Sequence, residues 1–146
     1  MATETTKPVV GWKIWRVEHD ERTRLRSVLY GSLWVPGRPA VADCKKPLRF
    51  RHEAPDPLCD CGIHAGRSLA AWQHYLKVGD DRVFGRALLL GDRVEGSAGW
   101  RAAAAYPLEV YVPAELDDAE AIAGGLAVYG VPVEIIGAGT REVVAA

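Results

Sequence analysis

The sequence predicts an α+β fold: an antiparallel sheet, built as a meander, that carries a metal-clamped irregular loop, packed helices and a C-terminal β-α-β unit. Three observations lead there. Short runs rich in aromatic and β-branched residues alternate with Gly-, Pro- and Asp-containing turns, the pattern of strands joined locally. Residues 45–64 contain Pro47, Pro55 and Pro57 and hold no sustained period, so they read as a long loop. The chain then closes with a strand, a helix and a strand on short connections, which favours a right-handed crossover with the two strands parallel. With 146 residues, 49% of them hydrophobic and 25% charged, the composition is globular and one domain is expected over residues 1–146.

Residues 1–10 are polar and Thr-rich and are expected to form a flexible tail, with Gly11 opening the fold. Trp12 to Glu18 and Leu25 to Tyr30 have strand composition and flank a polar turn, so they should pair antiparallel. Trp34 to Pro39 is turn-rich, because Pro36 fixes φ and Gly37 tolerates the left-handed region. A short extended segment is expected near Ala40 to Cys44. After the loop, Gly66 to Lys77 is a helix candidate: Ser68 is a capping type, Leu69, Trp72 and Leu76 share a face, and Gly79 is a stop.

Arg82 to Leu90 and Arg93 to Glu95 then read as strands joined by a Gly91-Asp92 hairpin, with a second turn at Gly96 to Gly99 leading into Trp100 to Ala105. Leu108 to Val112 is a strand ended by Pro113. Asp117 and Glu120 have capping-box spacing before the apolar face of Ala119, Ile122, Ala123 and Leu126. Gly130 suits the helix stop, and Pro132 places the following strand, Val131 to Ile136, at an edge or restricts Pro132 to its first residues.

No run of about 18 apolar residues occurs, and the N-terminal stretch lacks the charged-then-apolar order of a signal peptide, so a cytoplasmic protein with no membrane partner is expected. Residues 1–52 carry eleven Lys/Arg against five Asp/Glu, whereas residues 53–146 carry seven against fourteen. The basic half concentrates its charge in Arg22, Arg24 and Arg26 and in Lys45, Lys46, Arg49 and Arg51. Rows of this kind suit nucleic acid or an acidic protein as partner, although solvated strand faces carry the same residues.

The cysteines number three, Cys44, Cys59 and Cys61, and two of the four histidines, His52 and His64, lie in or beside the same stretch. An odd count in a reducing compartment argues against structural disulfides. Zinc takes four thiolate or imidazole ligands in a tetrahedron, and Cys44, His52, Cys59 and Cys61 supply such a set, with His64 as an alternative fourth ligand. A bound ion would also organise a loop that is long for a compact domain.

The run His52-Glu53-Ala54-Pro55, then Cys59-Asp60-Cys61-Gly62-Ile63 and Ala65, with Val83-x-Gly85, Gly99-Trp100-Arg101-Ala102, Ala105-Tyr106-Pro107 and Tyr129-Gly130-Val131-Pro132-Val133, resembles small uncharacterised actinobacterial proteins with an HxAP…CxCGIYA signature. The resemblance spans roughly residues 12–136 and implies no activity. It implies His52, Cys59 and Cys61 as the matching ligand positions, with Cys44 a looser match. His64 stands where that family usually has an aromatic residue, so the resemblance favours His52 as the fourth ligand.

A catalytic alternative uses the same residues. Cys61 ahead of a helix N-terminus with His64 as base would suit a cysteine enzyme, and three ligands plus an open position with Glu53 as base would suit a hydrolase-like zinc enzyme. Deaminase spacing, Walker A and H-E-x-x-H are absent, and Gly137-Ala138-Gly139 has too little chain after it for a dinucleotide fold. The expected function is therefore a zinc-stabilised, non-enzymatic interaction or accessory module.

Overall fold

A computed structural model describes residues 7–47, 49, 52–72 and 81–137. Among the described residues the backbone is mostly strand: β1 (Val9–His19), β2 (Thr23–Ser27), β3 (Ala40–Val41), β4 (Ile63–Gly66), β5 (Arg82–Glu95), β6 (Gly99–Pro113) and β7 (Val133–Ile136), with one α-helix, α1 (Ala119–Leu126), between β6 and β7. The fold class is α+β with a mostly antiparallel sheet. Strands β1 and β2 form the expected hairpin, with Trp15 opposite Ser27 and His19 opposite Thr23. β1 also pairs along β5, β5 along β6, β6 with β4, and β4 returns to β1 through Trp12 and Gly66. These pairings close a ring.

Three expectations are corrected. Val9 and Val10 belong to β1, so the fold begins before Gly11, and residues 1–6 lie outside the described residues. Gly91-Asp92 is not a hairpin turn. β5 runs through it: Leu90 faces Ala104 and Arg93 faces Ala102, so two residues oppose Ala103 alone, with Gly91 at φ 74°. That is a β-bulge with glycine in the left-handed region, and it uses the same residue types as a tight turn. Likewise Pro107 does not divide β6; the register skips Leu108 between Pro107 and Glu109, and a bulge tolerates a proline that has no N–H to give the ladder.

The first helix candidate is also revised. Gly66 ends β4, Leu69–Trp72 forms a 3-10 turn, and residues 73–80, with Leu76 and Gly79, lie outside the described residues. α1 starts at Asp118, which sits at φ 59° and makes no side-chain cap, so the capping box of Asp117 and Glu120 does not form. The two strands of the β6–α1–β7 unit are parallel as expected, Val110 to Pro113 pairing with Val133 to Ile136, but β7 begins at Val133 rather than Val131, and Gly130 closes the 3-10 turn Ala127–Tyr129 at φ 74°.

Alternation decides what is buried. On β1, Trp15 and Val17 join Leu25, Trp34, Val83, Ala87, Val110 and the α1 residues Ile122 and Leu126 in the main core, while Ile14 packs with Leu69, Phe84 and Ile136 in a second. Tyr129 ties the helical end to the hairpin: its buried hydroxyl accepts the Leu25 N–H at 2.8 Å and donates to the Trp34 carbonyl at 2.5 Å. Tyr129→Phe should cost about 1–3 kcal/mol for each backbone group left unpaired, read as a lower midpoint in denaturant titration. An unchanged midpoint would show that water replaces the hydroxyl.

Candidate metal centre

The long loop interrupts what is otherwise one strand. Ala40 and Val41 pair with Ala105 and Ala104 of β6, the Ala42 N–H donates to the Ala103 carbonyl at 2.7 Å, and pairing resumes with Ile63 opposite Ala102. Residues 43–62 therefore leave and rejoin the same edge of β6 at adjacent positions. Their two ends bring Cys44 and Cys61 together before any loop residue is considered.

The interior of the loop places the other two. Asp56, Pro57, Leu58 and Cys59 form a turn in which Pro57 presets φ, the Asp56 carboxylate accepts the Leu58 N–H at 2.8 Å and the Asp56 carbonyl accepts the Cys59 N–H at 3.1 Å. Gly62 follows at φ 119°, and a Cβ there would meet the Arg101 and Pro55 side chains at 3.0 and 3.2 Å. From β6, the Arg101 guanidinium donates to the carbonyls of Cys61 at 2.7 Å and Asp56 at 3.1 Å, tying both ends of the turn to the sheet.

One ligand atom each from Cys44, His52, Cys59 and Cys61 lies within 4.8 Å of every other. His52 Nε2 and Cys61 Sγ are 3.1 Å apart. A tetrahedral zinc with Zn–S near 2.3 Å and Zn–N near 2.0 Å would hold its donors roughly 3.5–3.8 Å apart, so the set fits such an ion with small adjustments. Cys44 and Cys59 are buried, yet neither belongs to either hydrophobic core. Burial, and next the approach of Cys59 and Cys44, push the Cys61 thiol up to about 11 against the Asp56 backbone contact, while the backbone at Lys46 draws Cys44 down. A cation at the centre reverses the balance by making thiolates the favoured form.

His64 stands apart from this cluster. It is on β4, its Nε2 lies 2.9 Å from the Asp60 carbonyl, and burial, followed by the charges of Lys13 and Arg101, lowers its pKa to about 4. The imidazole is thus neutral near pH 7, with the Nε2 proton assigned to the Asp60 bond. Cys61 precedes a strand rather than a helix, so the helix-activated thiol has no structural basis. His52→Ala should weaken metal binding by about tenfold or more, in the range for perturbed ligand shells, and His64→Phe should leave it nearly unchanged, measured by chelator competition. The reverse order would move the fourth ligand to His64.

The basic residues do not gather in one hollow. Arg22 and Arg24 line a small recess with Arg38, whereas Lys45 and Lys46 line a larger one beside the loop. Arg26 pairs with Glu18 at 3.2 Å and Lys45 with Asp43 at 3.3 Å; Arg51 lies outside the described residues. Two residues that matter were missed from the sequence. Arg101 had a signal in the Gly99-Trp100-Arg101-Ala102 run, and Lys13 had one in sharing the strand parity of Trp15 and Val17.

Among the described residues no helix is long and apolar enough to cross a membrane. Compared with protein-family models, curated proteins and solved structures, the chain matches none, so the Cys44, His52, Cys59 and Cys61 cluster itself bears the functional reading.

Proposed function

We propose that the protein is a zinc-clamped, non-enzymatic interaction module. The observation that carries this reading is the single cluster of Cys44, His52, Cys59 and Cys61 donors, all within 4.8 Å of one another. Three cysteines and one histidine complete a tetrahedron without a water, which is the composition of structural zinc sites, whereas catalytic sites keep an open position. Soft thiolates also favour zinc over magnesium or calcium.

Exposed apolar side chains support the interaction role. Leu58, in the metal loop, is 96% exposed, and Tyr30 and Val41, which line the adjoining hollow, are 79% and 77% exposed. Apolar groups concentrated beside one loop are a usual sign of a recognition surface. Protein purified without added metal should carry one zinc per chain by elemental analysis, with an absorption spectrum of four-coordinate thiolate after cobalt exchange. A metal-free preparation with the same melting temperature as the loaded one would refute the reading.

A further inference from the structure

A recess of about 400 Å³ opens between the β1–β2 turn, strand β2, the 33–38 segment and Val128. Three arginines line it, Arg22, Arg24 and Arg38, together with Leu33, Val35, Pro36 and Val128, and no carboxylate does. Among the described residues none of the three makes an ion pair. Glu18 stands opposite Arg24 across the hairpin but is paired with Arg26 at 3.2 Å, and the exposed Asp20 and Glu21 are absent from the lining. A concave surface with one sign of charge concentrates the field and attracts the opposite sign.

Backbone contacts hold each arginine in place. Arg22 belongs to the β1–β2 turn, where the Asp20 N–H donates to the Arg22 carbonyl at 3.4 Å. On β2, Thr23 and Leu25 are buried, so Arg24 takes the opposite face, and its guanidinium donates to the Thr23 carbonyl at 2.8 Å. Arg38 ends a turn that has Pro36 and Gly37 in its middle, Gly37 at φ 81°, closed by the Arg38 N–H on the Val35 carbonyl at 3.2 Å. β6 anchors that turn: the Gly37 N–H donates to the Tyr106 hydroxyl at 2.8 Å, and this hydroxyl donates to the Tyr129 carbonyl at 2.8 Å. The Tyr129 hydroxyl in turn binds Leu25 and Trp34, the chain neighbours of Arg24, Leu33 and Val35. The backbone that carries the arginines is thus set before a ligand arrives, which lowers the cost of binding.

We propose that this recess binds a small phosphomonoester, its phosphate among the guanidiniums of Arg22, Arg24 and Arg38 and its organic body on Leu33, Val35, Pro36 and Val128. A phosphomonoester carries about −1.5 to −2 charge near pH 7 and offers three acceptor oxygens. Guanidinium forks match such oxygens in pairs. A carboxylate brings a single charge and two oxygens, which leaves one arginine unanswered. The lining includes none of residues 43–62, so occupancy of the recess and of the metal centre can be measured separately.

The test titrates phenyl phosphate, and phenyl sulfate of the same shape and lower charge, into the full chain by calorimetry at low ionic strength. One-to-one saturation by phenyl phosphate is expected below about 1 mM, with the sulfate at least about fivefold weaker. Arg22→Gln combined with Arg38→Gln should weaken phenyl phosphate at least about tenfold, because charge-assisted hydrogen bonds are lost. Lys45→Gln, in the hollow beside the metal loop, should leave it unchanged. No saturation below about 10 mM, equal affinity for the two probes, a double variant that binds like the parent, or an equal loss in Lys45→Gln would overturn the proposal. So would binding of an oligonucleotide or of phosphatidic acid vesicles without saturation by phenyl phosphate. Should the double variant fail to fold, amide shifts induced by phenyl phosphate in the parent protein decide: shifts centred on Arg22, Arg24, Val35 and Arg38 support the site, and shifts confined elsewhere overturn it.

Discussion

Serine at Cys59 or Cys61 is expected to strip the metal and the stability of the loop in one step. Ordering each residue costs ~1–2 kcal/mol of backbone entropy, and the described residues of the 43–62 excursion contribute nothing to either hydrophobic core with which to offset it. Among its described residues the buried ones, Cys44, Ala54, Pro55 and Cys59, stand outside both hydrophobic cores. What holds it is the Asp56–Cys59 turn, the two Arg101 hydrogen bonds and the four convergent donors. A structural zinc contributes about 10–16 kcal/mol of apparent binding free energy, so on the proposed reading its loss would outweigh the other described contacts of the loop. The melting temperature should fall by about 10 °C or more, as a loss of several kcal/mol does in a domain of this size. Hydrogen exchange should show residues 43–62 losing protection before β1, β5 and β6. Retained metal with unchanged melting in either serine variant would remove Cys59 and Cys61 from the ligand set.

Acidification should reproduce the loss reversibly. Imidazole and thiolate bind metal only when deprotonated, so affinity falls as pH falls and binding releases protons.

Gly85→Ala carries the second large effect, and its cause lies in the sheet. Gly85 stands opposite Lys13 of β1 and Val110 of β6, between two paired strands. A Cβ there would clash with the Glu109 carbonyl oxygen and lie 3.0 Å from Val110 Cα. Both obstacles are backbone, so β5 and β6 must part beside the Arg86–Glu109 ion pair. The cost should be about 3 kcal/mol, at the upper end for overpacking, and the melting temperature should drop by ~10 °C. Gly124→Ala gives the opposite sign. No heavy atom lies within 4 Å of the added methyl, and alanine in a helix is worth ~1 kcal/mol over glycine. If both variants destabilise equally, the strand spacing at Gly85 is not the cause.

The sequence made the local pairs readable and left the long-range ones hidden. Trp15 and Val17 flank exposed Arg16, and buried Thr23 and Leu25 flank half-buried Arg24, a period of two that orients the first hairpin. Ile122 and Leu126 are spaced for one helical face, which fixed the inward side of α1. The clustering of Cys44, His52, Cys59 and Cys61 was legible because thiols are scarce and lie together in the sequence. Gly91 was ambiguous, since a left-handed glycine serves a bulge as well as a turn, and only the pairing partner Ala103 separates the two. The expected strands Trp100 to Ala105 and Leu108 to Val112 are one strand, β6, with a bulge at Leu108. The union of β3 with β4 was illegible, because it is written in their common partner, Ala102 to Ala105, some forty residues or more downstream.

That union bears on how the protein can change over generations. Because the excursion starts and ends at neighbouring rungs of β6, the span its ends must bridge is set by the sheet and not by the number of residues between them. Closing a flexible loop costs only about 0.6 kcal/mol for each doubling of its length. A change of length between β3 and β4 therefore leaves the register of both with β6 unaltered. Length in that stretch is a nearly free parameter for selection, and so is whatever surface the added residues would display.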